Sequence, residues 1–195
     1  MRYYFDTEFV EGSQTKLFGQ TKPTIDLISI GIVAEDGREG YWISKDFNLK
    51  EAWNRYQMKQ VSGDARNRFP EGVKEYWLRE NVLRLIYIEL VQKGCPHNVA
   101  LGLNYSNFKY LIKKYGKTNK QISEEVYNFC SNDYHKGNNI SFGERIQHEL
   151  YGNYKPEFYA YYSDYDWVVF CWLFGSMINL PKCFPMYCKD LKQIY

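Results

Sequence analysis

Tyr3-Tyr4-Phe5-Asp6-Thr7-Glu8-Phe9-Val10, close to the N-terminus, is an aromatic and β-branched run that carries two carboxylates. Tyr, Phe, Thr and Val favour strands, whereas Asp is depleted from strand interiors, so packing does not account for Asp6 and Glu8. Strand side chains alternate between faces, which puts residues two apart side by side. The acidic pair therefore shares one face of a first strand. Like charges held that close raise one another's pKa unless a cation lies between them. Mg2+ or Mn2+, which prefer carboxylate oxygen, would supply it.

Outward from this strand, Gly12 to Pro23 is polar and punctuated by glycine, which predicts a loop, a candidate flap beside the acidic pair. Ile25-Asp26-Leu27-Ile28-Ser29-Ile30-Gly31-Ile32-Val33-Ala34 is a dense β-branched run suited to a central strand buried on both faces. Glu35-Asp36-Gly37 is a hairpin signal, and Gly40 to Ser44 resumes as a strand. Three antiparallel strands thus open the fold. From Leu49 the apolar period becomes helical. Leu49 to Tyr56, a long segment from Val73 to Lys93, Phe108 to Tyr115, and a helix capped at Thr118-Asn119 and running to Cys130 follow, with Val61 to Gly72 and Asn132 to Asn139 as loops. Phe142 to Tyr151 predicts one more short helix. Strand character returns at Glu157 to Ser163 and runs through Asp164-Tyr165-Asp166 into an apolar helix, Trp167 to Gly175. A carboxylate at that junction would lie near a helix N-terminus, where negative charge is favoured. The tail, rich in proline, leads into the start of a further helix at Leu191.

The 195 residues suit one domain, with a mainly helical insertion over roughly residues 54–116. A net charge of only +2 excludes a globally polyanion-binding surface, so a nucleic-acid contact would have to be local. The odd count of five cysteines at irregular spacing argues for free thiols in a reducing cytoplasm. No run of about 18 uncharged apolar residues predicts a membrane span.

An Asp-x-Glu on a strand combined with a distant Asp at a strand-to-helix turn is the skeleton of a two-metal phosphodiester site, in which cations about 3.5–4 Å apart activate water and stabilise the leaving oxygen. Asp6 and Glu8 could equally be solvated residues of an edge strand if nothing distant joins them. Glu144 and His148 have a spacing that permits metal binding, although such an isolated pair is more commonly a surface ion pair. Lys109, Lys113, Lys114, Lys117 and Lys120, interleaved with Tyr110 and Tyr115, could follow a phosphate backbone or simply form a solvated face.

Phe5-Asp6-Thr7-Glu8-Phe9, then Leu27-Ile28-Ser29-Ile30-Gly31-Ile32-Val33, then Tyr161-Tyr162-Ser163-Asp164-Tyr165-Asp166 resemble, in that order, the DEDD superfamily of 3′-to-5′ exonucleases. Within it the chain resembles the DEDDh exoribonucleases related to RNase T and oligoribonuclease. The resemblance implies an α/β, RNase H-like mixed sheet with flanking helices, a Mg2+ or Mn2+ two-metal site, and the 3′ end of single-stranded RNA as partner, with DNA as the alternative and a homodimer as the family's common form. It assigns Asp6, Glu8 and Asp166 as catalytic metal ligands. Asp164 competes with Asp166, because strand alternation would aim both the same way, and Asp166 is preferred for its place directly before the apolar helix. Thr7, Phe9 and Asp164 are implied beside the substrate, with Phe9 or a loop aromatic stacking on the last base. The family's third motif, a His followed by an Asp, is absent: His97, His135 and His148 all precede Asp166. The expectation is a chain cut short within that last helix; the alternative is a catalytically silent nucleic-acid-binding module of the same fold.

Overall fold

The computed structural model describes residues 1–15, 21–59, 72–94, 102–131 and 155–194. Its centre is a hairpin of two 14-residue strands, β1 (Arg2–Thr15) and β2 (Thr21–Ala34), with β3 (Glu39–Ile43) returning antiparallel on β2. Gly12–Thr15 and Thr21–Pro23 are therefore strand, not loop. Ladder bonding between Gly12–Thr15 and Thr21–Thr24 outweighs the local turn signals, and the connecting residues 16–20 lie outside the described part.

Antiparallel pairing changes to parallel on the other side of β1. The five-stranded sheet has the order β3-β2-β1-β6-β7, where β6 (Glu157–Ala160) runs parallel to β1 and β7 (Lys189–Asp190) parallel to β6. With helices flanking it, this is an α/β fold with a mixed sheet, compatible with an RNase H-like exonuclease. Along β2, Leu27, Ile28, Ser29 and Ile30 are buried in succession, as a strand covered on both faces requires. Beyond Ile30 the pattern alternates, and Val33 is exposed.

Among the described residues, two helices pack on this sheet. α4 (Asn119–Ser131) opens with a reciprocal cap: the Gln121 backbone N–H donates to Thr118 Oγ1 at 3.2 Å, and the Thr118 N–H donates to Gln121 Oε1 at 2.9 Å. Its buried stripe of Ile122, Val126 and Cys130 meets the sheet, where Tyr3 donates its hydroxyl to the Cys130 carbonyl at 2.8 Å. α5 (Ser163–Leu173) supplies Val169, Phe170 and Leu173 to the same core, and Phe170 sits 4.9 Å from Phe158 and 5.2 Å from Phe5, ring centre to ring centre. Burying rings of this size dominates the core's free energy.

The helix starts earlier than the pattern predicts. β6 stops at Ala160, Tyr162 takes a left-handed conformation (φ 56°), and α5 begins at Ser163, so Asp164 and Asp166 lie in its first turn rather than on a strand. The aromatic residues 161–162 look like strand by propensity, but the strand-to-helix turn claims them.

The chain forms two units, Met1–Phe47 with Lys117–Tyr195, and Asn48–Gly116. The second contains α1 (Leu49–Asn54), α2 (Arg84–Gly94), α3 (Tyr105–Tyr115) and a small antiparallel pair, β4 (Gln57–Lys59) with β5 (Val73–Glu75). Val73 to Lys93 is thus not one helix. Val73–Glu75 pairs with β4, and a π-helical turn, Arg79–Leu83, then leads into α2. Arg79 holds this unit together by donating to the Trp53 carbonyl, with its guanidinium 4.0 Å from the Tyr76 ring centre. Of the five lysines, Lys114 lies over the rings of Tyr110 and Tyr115, and Lys117, in the first unit, is engaged by Glu125. The loop predicted over Asn132 to Asn139, the helix predicted over Phe142 to Tyr151, and Glu144 with His148, fall outside the described residues, as do His97 and His135. Among the described residues no helix is long and apolar enough to cross a membrane.

Candidate active site

Strand alternation along β1 separates two sets of side chains. Tyr3, Phe5 and Thr7 are buried toward the core, whereas Asp6 is exposed and Glu8 half-buried on the opposite face. Opposite Glu8 the register shifts: Glu8 pairs with Ser29 but Phe9 with Leu27, leaving Ile28 as an extra residue on β2. Such a bulge bends the strands and re-aims side chains, and it lies beside the carboxylates.

β6 accompanies β1 only from Arg2 to Tyr4. Beyond Tyr4 that edge of β1 is met by the first turn of α5. There Asp166, only 7% exposed, accepts two hydrogen bonds on Oδ1, from the Thr7 backbone N–H at 2.9 Å and from Thr7 Oγ1 at 2.5 Å. The residue between the two strand carboxylates is thus the anchor of the third. Asp166 comes from 159 residues away in sequence, so only the tertiary fold makes this contact.

Asp164 is separated from this cluster. It is exposed, and on a helix residues two apart do not share a face, so the strand-based reason for considering it disappears with the strand. Thr7 is buried, and its hydroxyl donates to Asp166. Phe9 stacks on Tyr165, with centroids 5.7 Å apart and planes 16° from parallel. Sequence reasoning missed Tyr165, and no local pattern distinguishes it from the other tyrosines around it. The alternation that put Asp6 and Glu8 together did contain the signal for Thr7: it had to face inward.

The three carboxylates feel one another. Burial and then the Asp166 charge raise the Asp6 carboxyl above its ordinary range. Glu8 is pushed up to about 7, first by desolvation and then by the charges of Asp6 and Asp166. No cationic side chain offsets these effects among the described residues. Sites of this kind are unfavourable as they stand and become favourable when a cation enters.

Oxygen-only donors of this sort fit a hard divalent cation of the magnesium or manganese type. Among the described residues no group of three His, Cys, Asp or Glu side chains is arranged to hold a metal ion. One oxygen of Asp166 is committed to Thr7.

No protein-family model matches the chain. Two proteins from two strains of Mycobacterium tuberculosis, each named 3′-5′ exoribonuclease, are 27% identical to it over 195 residues, covering 100% of this chain and 74% of each relative. The likeness spans the whole chain.

Proposed function

We propose that the protein is a metal-dependent 3′-to-5′ exoribonuclease of the DEDDh type, hydrolysing the terminal phosphodiester of single-stranded RNA. The observation that carries this reading is the capture of Asp166 by Thr7, which joins a distant carboxylate to the Asp6 and Glu8 pair. The likeness to proteins named 3′-5′ exoribonuclease supports RNA as the substrate class. Nothing in the structure favours a catalytically silent module.

In this reading Asp6, Glu8 and Asp166 hold the divalent cations. When bound, the cations supply charge neutralisation for the phosphate and a water of lowered pKa. The chain's own contribution is placement. Thr7 fixes one oxygen of Asp166 and leaves the other available, and the bulge beside Glu8 sets the direction of that side chain. Tyr165, exposed and stacked on the half-buried Phe9, offers an aromatic face on which a terminal base can lie.

Incubation of the protein with an end-labelled oligoribonucleotide and Mn2+ tests the proposal. The expected result is a ladder shortening from the 3′ end, abolished in Asp6→Ala. An intact oligonucleotide with the unaltered protein, or equal shortening by Asp6→Ala, would overturn it.

A further inference from the structure

Among the described residues, Thr7, Thr24 and Ser44 are buried hydroxyls in or beside the sheet that are engaged. Thr7 Oγ1 donates to Asp166, Thr24 Oγ1 donates to Asp26 at 2.9 Å, and Ser44 Oγ donates to Asn119 Oδ1 at 2.7 Å while accepting the Asp46 N–H at 3.0 Å. Ser29 differs. It is 1% exposed, and its Oγ meets no hydrogen-bond partner among the described residues. A buried hydroxyl left without a partner is unfavourable, and each instance in a folded protein calls for a reason.

Its position supplies one. Ser29 on β2 is the direct cross-strand partner of Glu8 on β1, at the last regular pair before the register shifts. Residues directly opposed in an antiparallel pair project from the same face with their Cβ atoms about 4.5–5.5 Å apart, within reach of a hydroxyl-to-carboxylate hydrogen bond. On its other side Ser29 pairs with Ile43, which brings no polar group. Trp167 Nε1 is also buried without a partner, but that indole sits in the aromatic core, parallel to Phe170 at 5.2 Å, where ring packing explains it. Ring packing cannot explain a serine.

We infer that Ser29 is a positioning residue for Glu8. Its hydroxyl donates to the Glu8 carboxylate when that group turns to hold a cation, fixing which oxygen faces the metal. This inference rests on the function proposed above. Partners that orient a metal ligand through a hydrogen bond commonly contribute about 10- to 100-fold in metal affinity or activity.

The test compares the unaltered protein with Ser29→Ala and Ser29→Cys. Mn2+ binding is followed by the electron paramagnetic resonance of the free ion, and thermal midpoints are measured without metal. Removing an unpartnered hydroxyl should leave the metal-free midpoint unchanged or higher, while the Mn2+ dissociation constant rises about tenfold. Ser29→Cys fills the same space with a weak donor, so it should bind Mn2+ as poorly as Ser29→Ala. A cysteine variant that binds as the unaltered protein does would show that Ser29 only fills space. Equal binding by all three, with RNA shortening intact, would overturn this inference and leave the functional proposal standing. Absence of both Mn2+ binding and RNA shortening in the unaltered protein would overturn both.

Discussion

Two sets of carboxylates in the same unit show opposite electrostatics. Glu157 on β6 accepts hydrogen bonds from Tyr159 and Lys189, and these hold it below the ordinary range. Burial works to raise Glu125, but hydrogen bonds from Lys117 and the Trp42 indole outweigh it and hold it below as well. Asp6 and Glu8, on the neighbouring strand, have neither and are raised. A carboxylate supplied with donors needs nothing further from its surroundings. A pair whose carboxyls are raised by partial burial and by a neighbouring charge is held at a cost, which the function proposed above explains by a bound cation.

Substitutions can test whether this contrast is real. The largest effect is expected from Asp6→Asn and Glu8→Gln, which keep shape and remove charge. Each should lower RNA-shortening rates with Mn2+ on the order of 1,000-fold, because metal-borne charge stabilisation amounts to several kcal/mol, while the metal-free thermal midpoint does not fall. Asp166→Ala should lose activity to the same degree but also stability, since two hydrogen bonds to a buried charge disappear and Thr7 is left unpartnered. A loss of about 2–4 kcal/mol in denaturant unfolding is expected, and an unchanged midpoint would mean the Thr7 contact contributes nothing.

Divalent cation should raise the thermal midpoint of the unaltered protein. Mn2+ at 100 times its dissociation constant contributes about 2.7 kcal/mol, a shift on the order of 5–10 °C for a chain of this size. Asp6→Asn should show little of it.

The pH dependence should have opposite signs in the two sets. Glu8 has a folded-state pKa near 7, above its value in the unfolded chain, so the unfolded chain loses its proton first as pH rises. Metal-free stability is therefore penalised progressively from about pH 4.5 to 7, and Glu8→Gln should raise the midpoint at pH 8 but not at pH 4. Glu157 is lowered, so its contribution is present above its unfolded value and is lost on acidification. The smallest effect is expected there: Glu157→Gln should lower the midpoint slightly at pH 7, by less than about 1 kcal/mol in stability, with RNA shortening unaffected.

Much of the frame is legible locally. Alternation along Tyr3–Val10 and the β-branched density of Ile25–Ala34 determine strands, because a two-residue period and branched side chains act through immediate neighbours. Thr118 and Gln121 mark a helix start by chemistry contained within four residues. Where reading fails, a distant partner decides. Gly12–Thr15 is strand because Thr21–Thr24 pairs with it, and Val73–Glu75 is strand because Gln57–Lys59 does. Residues 161–166 form a turn and a helix, despite their tyrosines, because α5 must bring Phe170 onto the core.

The same division runs through the site. The sequence alone determined that Asp6 and Glu8 share a face, since that follows from strand geometry. It also put Asp166 next to an apolar helix. Only the tertiary structure shows that Asp166 is the first-turn carboxylate that reaches Thr7, because that contact depends on where α5 begins. Thr7 as anchor and Ser29 as the unpartnered hydroxyl opposite Glu8 likewise come from register and burial. Those contacts join residues far apart in the chain, and no local pattern encodes them.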